Sequence, residues 1–134
     1  LQHLITVSTG FIDSYIIECY KKVPMLIPQN IVLSAMDTRT DVTQIEWHDL
    51  KLPVFAVNDP SKKQGVALVI EGDDVSERFA LICNEMPESI RLRISEIVDE
   101  ERDIQDDGVF RYVKMGEKQF YVPNLQNIQS KLGL

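Results

Sequence analysis

Between residues 66 and 122 the chain alternates short apolar runs with polar connections. No interval there leaves comfortable room for the helix that must cross between neighbouring parallel strands. "VALVIEG" reads as a buried strand, "DDVS" as a turn and "ERFALICNEM" as the next strand. In "SIRLRISEIVDEE", Ile90, Leu92 and Ile94 alternate with Arg91, Arg93 and Ser95, so one face is core and the other is wet. "VFRYVKMGEKQFYVP" reads as a hairpin, with Gly116 in the short polar connection between two aromatic-rich runs. A chain patterned this way is mainly β, and barrels are favoured over a β-α-β arrangement.

The flanking segments fit the same reading. "FIDSYIIECY" mixes β-branched and aromatic residues and predicts a strand. "KKVPMLIPQNIVLSAMD" contains Pro24 and Pro28, which exclude one central strand across the whole run; a turn should lead into a further apolar segment, a strand or a short helix after Pro28. "TRTDVTQ" is a polar loop, and "IEWHDLKLPVFAVND" predicts two short strands around a tight turn, with Pro53 at a sheet edge or a strand start. Near the end, Leu125, Ile128 and Leu132 fall on one helical face just after Asn124, a suitable N-cap, and predict a short C-terminal helix. No repeat of about 20–50 residues is present.

Composition limits the function classes. The chain has 134 residues, enough for one domain with a real core or for two small barrels sharing one. Hydrophobic residues make up 44% and charged residues 26%, the balance of a soluble globular protein. No apolar run approaches the roughly 18 residues that span a bilayer, and no charged-then-apolar leader stands before a small-residue cleavage site. The expectation is a cytoplasmic protein without membrane insertion, with whatever precedes Leu1 left open. Cys19 and Cys83 each sit inside an apolar run and are expected as buried thiols rather than a disulfide. The net charge is −7, and residues 61–107 carry 13 acids against 6 bases. An acidic middle repels phosphate, so nucleic acid is disfavoured as a partner.

Each candidate for chemistry has a plainer alternative. His48 beside Asp49 invites a general base oriented by a carboxylate, but neighbouring strand residues point to opposite faces and no nucleophile motif accompanies them. The pair reads better as the tip of a turn. His3, Cys19, His48 and Cys83 lack the close spacing of zinc sites, and "DIQDDG" fails as a calcium loop because Lys114 stands where a bidentate Glu is needed. The six glycines form no phosphate-binding pattern, so no metal and no cofactor are expected. Trp47, the single tryptophan, is either packed or an anchor at an interface.

Taken in order, these segments resemble the CheW-like domain, the adaptor module of bacterial chemosensory arrays, from about residue 24 to the end. "LIPQNIVLSAMD" is similar to the family's "x-IP-x-x-x-V" run. "IEWHDLKLPVFAVND" is similar to its Gly-x-Ile-x-(Trp or Leu)-Arg-Gly turn followed by "LPV" and a hydrophobic pair. "ALVIEG", "RFALICNEM", "IRLRISEIVDEE" and "FRYVKMGEKQFYVPNLQNIQSKL" resemble its later strands and final helix. One departure stands out: His48-Asp49 occupies the place of the family's Arg-Gly, which puts ordinary receptor–kinase coupling in doubt.

The resemblance implies a single domain over residues 1–134, made of two intertwined five-stranded SH3-like β-barrels that share a core and leave a groove between them. It implies a non-enzymatic adaptor coupling a histidine kinase with a chemoreceptor or another adaptor. The retained Trp in the turn points to divergent members that serve type IV pili and twitching motility. Trp47, His48, Asp49 and Lys51 are then the candidate partner-binding residues. A regulatory barrel sensing a small ligand, and less readily a hydrolase using His48 and Asp49, are the competing readings.

Overall fold

In the computed structural model, which describes residues 10–134, the period-two runs become eleven strands. The first three are β1 (Phe11–Ile17), β2 (Met25–Pro28) and β3 (Val32–Arg39). A hairpin follows, β4 (Gln44–Trp47) and β5 (Leu50–Ala56), and then β6 (Gln64–Ile70) and β7 (Phe79–Cys83). The chain continues through β8 (Glu88–Arg93), β9 (Val98–Glu100), β10 (Val109–Met115) and β11 (Lys118–Pro123). It ends in one α-helix, α1 (Leu125–Lys131), whose N-cap Asn124 accepts a hydrogen bond from the Asn127 amide at 3.1 Å.

The strands form two sheets. The first has the order β8-β1-β2-β11-β10-β9 and the second β3-β6-β7-β5-β4. Chain connectivity forces both to curl. The edge strands β8 and β9 are joined by a single 3₁₀ turn, Ile94–Glu96. Five residues reach at most about 17 Å, whereas six flat strands would set the two edges about 24 Å apart. The edges β3 and β4 of the second sheet are likewise joined through residues 40–43. The architecture is therefore mainly β, two half-barrels and a C-terminal helix.

Strands buried on both faces explain the three apolar clusters. In β6, Val66, Leu68 and Ile70 face a central core between the sheets, while Ala67 and Val69 face the inside of the second sheet's curl. Strand β7 divides in the same way, Phe79, Leu81 and Cys83 against Ala80 and Ile82. In β1 and β2, Ile17, Met25 and Ile27 join the central core, and Ile16 and Leu26 line the first curl. Ile128 of α1 enters the central core, so the helix covers one end of it as its apolar spacing predicts. Close approach is built in at Gly65, where a Cβ would stand 2.3 Å from the Cys83 carbonyl oxygen. No larger residue fits between β6 and β7 there.

The run after Pro28 takes both expected forms in turn: a short 3₁₀ helix, Gln29–Ile31, passes the chain from the first sheet into strand β3 of the second. Pro24 precedes β2, a short strand in the interior of its sheet, and Pro28 is its last residue. Two expectations need correction. Pro53 is at neither an edge nor a strand start, since β5 lies between β4 and β7. It sits at a hand-over, opposite Gln44 where the β4 ladder ends and just before Val54, where the parallel ladder to β7 begins. A residue without an N–H is tolerated where neither ladder is continuous. Finally, "SIRLRISEIVDEE" is not one strand. Its 3₁₀ turn splits it into β8 and β9 at opposite edges, which gives the first sheet six strands where five were expected.

Candidate functional site

The β4–β5 hairpin closes through a two-residue turn at His48 and Asp49, with φ of 50° and 63°. Two successive positive φ values are the signature of a type I′ turn, which matches the twist of paired strands and normally carries Asn-Gly. A histidine and an aspartate there adopt the left-handed region against the preference of their Cβ atoms. The sequence thus places a strained, exposed pair at the tip.

What sits behind the tip holds it. Ile45 and Trp47 on β4 pair with Leu52 and Leu50 on β5, and all four share one face of the hairpin. Ile45 and Leu52 are buried in the second curl, and the half-buried Trp47 packs on the same cluster. The His48 ring stacks on the indole, centroids 4.0 Å apart and planes inclined by 21°. The Arg78 guanidinium lies 5.6 Å from the Trp47 ring centroid, within cation–π range. Glu71 anchors that arginine, accepting from Nε at 2.9 Å and from Nη2 at 3.5 Å. The hydrogen bond from Arg78 holds the Glu71 carboxyl below the usual carboxylate range.

Sequence inspection missed Glu71 and Arg78. They flank the β6–β7 connection, where Asp74 caps the 3₁₀ turn Val75–Glu77 and brings the two side chains together. A glutamate and an arginine on either side of a Gly-Asp-Asp turn were the available signal, but the Trp47 contact comes only from the sheet order. Of the residues singled out in the sequence, Trp47, His48, Asp49 and Lys51 do lie together at this tip. Lys51 is exposed and stands directly opposite Glu46. Leu50 is 38% exposed beside them.

This arrangement offers an aromatic platform of Trp47 and the stacked His48 ring beside the Asp49 carboxylate, with Lys51 and Glu46 on the opposite face of the hairpin. His48 makes its close contact with Trp47, and no hydrogen bond joins its ring to the Asp49 carboxylate among the described residues. The thiols lie elsewhere. Cys19 shares a 3.4 Å contact with the Tyr121 hydroxyl, and Cys83 donates to the Glu85 carbonyl at 3.2 Å; both are free and buried in the central core. Burial pushes the Cys83 thiol up to about 12 and raises Cys19 as well, so neither is poised as a thiolate.

Among the described residues no cluster of three or more His, Cys, Asp or Glu side chains could hold a metal ion; His3 lies outside the described residues. Among them, too, no helix is long and apolar enough to cross a membrane. No protein-family model matches this sequence, and comparison with curated proteins finds no match.

Proposed function

We propose that the chain is a non-enzymatic adaptor of a chemosensory array, linking a histidine kinase with a chemoreceptor or with another adaptor. In this reading it acts in the cytoplasm, in a system that controls type IV pili and twitching motility, and each curled sheet is one SH3-like barrel of a CheW-like domain. The observation that carries the reading is the braced hairpin tip at Trp47, His48, Asp49 and Lys51. Its segment is also the one that resembles the family hallmark.

Physical reasons make this tip suited to binding. Non-glycine residues held at positive φ cost stability and persist where the surroundings enforce them, often at functional positions. A tryptophan held by a stacked ring and a nearby guanidinium loses little freedom when a partner covers it, and Trp is enriched among interface anchors. Asp49 stands where the family commonly has glycine, and His48 where it has a permanent cation. The tip therefore repels a carboxylate that an ordinary adaptor would attract, and partner choice shifts accordingly.

Affinity purification from the native cell, with mass spectrometry of the bound proteins, tests the reading. A chemosensory kinase, receptor or second adaptor is the expected partner. Asp49→Lys should change affinity for it by about tenfold, or about 1.4 kcal/mol, with the fold intact. Recovery of none of these, together with a metabolite that raises the melting temperature, would transfer the assignment to the ligand-sensing alternative.

A further inference from the structure

In a chain with 21 acidic and 14 basic residues, an arginine without a carboxylate partner is unusual. Five of the six arginines form ion pairs with Asp or Glu. Arg102 forms none among the described residues, although Glu101 and Asp103 flank it and the surrounding segment is acidic. Its guanidinium instead lies over the Tyr112 ring, 3.9 Å from the centroid.

That contact sets Arg102 at a cleft of about 460 Å³ in the first sheet, between the β1–β2 connection and the segment entering β10. Lys21, Lys22 and Asp106 line it with Arg102, and Tyr112 and Tyr121 form its aromatic wall. Three cations therefore face one anion. Lys22 is already committed, because it is ion-paired with Asp106, which also accepts from the Gly108 amide at 2.9 Å. This pair ties the two rims of the cleft together and leaves Arg102 without a carboxylate, while Lys21 at the rim has its ammonium 5.2 Å from the Tyr20 ring centroid and no carboxylate partner among the described residues. Lys21 is held at φ 58°, another non-glycine residue in the left-handed region, at the turn that presents it to the cleft.

We propose that this cleft binds a carboxylate carried by an acidic side chain of a protein partner. Stacking on Tyr112 occupies the guanidinium face and leaves its in-plane N–H donors free, a fork that matches a planar carboxylate in two parallel hydrogen bonds. Lys21 supplies a second charge and Tyr112 a flat wall for the apolar stem of the acid. The net charge of −7 argues against a polyanion, whose many charges would feel the whole acidic surface. A single carboxylate in contact feels mainly the local cations, because more distant charges are screened over about 10 Å at about 0.1 M salt. The site is separate from the β4–β5 tip, and it rests on the adaptor reading only for the source of the carboxylate.

The test is a titration of the isotope-labelled full chain with the blocked peptide N-acetyl-Gly-Glu-Gly-amide, which carries one carboxylate, and separately with inorganic phosphate, followed by ¹H–¹⁵N NMR. The expected result is saturable shifts at the Lys21 and Gly108 amides and the Arg102 Nε–H, stronger at low salt. Arg102→Gln should weaken the peptide by about tenfold and Lys21→Gln by less, with unfolding midpoints unchanged because both side chains are exposed. Shifts elsewhere, equal affinity in Arg102→Gln, or tighter binding of phosphate than of the peptide would each overturn the proposal. No partner is present in this titration. Its failure would leave the hairpin reading standing, and a failed partner capture would leave this site standing.

Discussion

Asp49 holds its left-handed conformation at an exposed tip, where nothing but the turn itself asks for it. Glycine populates that region freely, so Asp49→Gly should stabilise the protein, by about 1 kcal/mol, with part of the relief offset by the greater freedom of glycine in the unfolded chain. The check is a shift of the denaturant midpoint to higher concentration at an unchanged slope. Under the adaptor reading the same substitution removes the anion and should alter partner affinity, so stability and binding would move separately. A loss of stability would instead show that the Asp49 side chain makes a contact worth more than the strain. At this scale the sequence revealed four of the site's six residues. Trp47, His48, Asp49 and Lys51 were visible because they are contiguous around a turn. Glu71 and Arg78 were not, because only the folding of the β6–β7 connection onto the hairpin makes them neighbours of Trp47.

At the scale of elements, the period-two pattern identified strands well and their partners poorly. Alternation tells which face a residue occupies, not which strand lies alongside. The parallel pairs β5–β7 and β2–β11 bring together segments with no local signal of contact, the second through Tyr121 opposite Met25. Hairpins were legible where the turn chemistry is local. Gly116, at φ 64°, turns β10 into β11 through two residues as its position suggested. Helix α1 was legible for the same reason, since cap and apolar spacing are all within one short stretch. Seven residues are too few to be helical alone, so α1 depends on its cap and on Ile128, which is 1% exposed in the central core. Asn124→Ala should cost about 1 kcal/mol, and Asn124→Asp should recover most of it by accepting the same amide hydrogen bond. Thermal melts of the three proteins would check this; equal melting points would mean that packing alone fixes the helix.

For the molecule as a whole, the excess of acids sets how stability responds to pH. At neutral pH the net charge of −7 is a source of self-repulsion in the folded chain. Against it stand the carboxylates that the fold holds in their charged form. Asp106 is held below the usual carboxylate range, chiefly by its hydrogen bond from Lys22, and Asp41, Asp59 and Glu71 are lowered by Arg39, Ser61 and Arg78 respectively. A carboxyl with a depressed folded value binds fewer protons folded than unfolded. Its contribution is complete above the ordinary value near pH 4 and is lost as the pH falls through the depressed one. The melting temperature should therefore hold from pH 7 to about 5 and fall below about 4. Asp106→Asn isolates one part of that fall. The Lys22–Asp106 pair joins the β1–β2 connection to the segment before β10, yet both side chains are partly exposed, so the pair is worth about 0.2–1 kcal/mol. The variant should melt slightly lower than the wild type at pH 7 in low salt, and the gap should close both in high salt and at a pH low enough to protonate Asp106 in the wild type. Since Asn can still accept from the Gly108 amide, a gap that persisted unchanged in acid would show that the lost charge is not its cause.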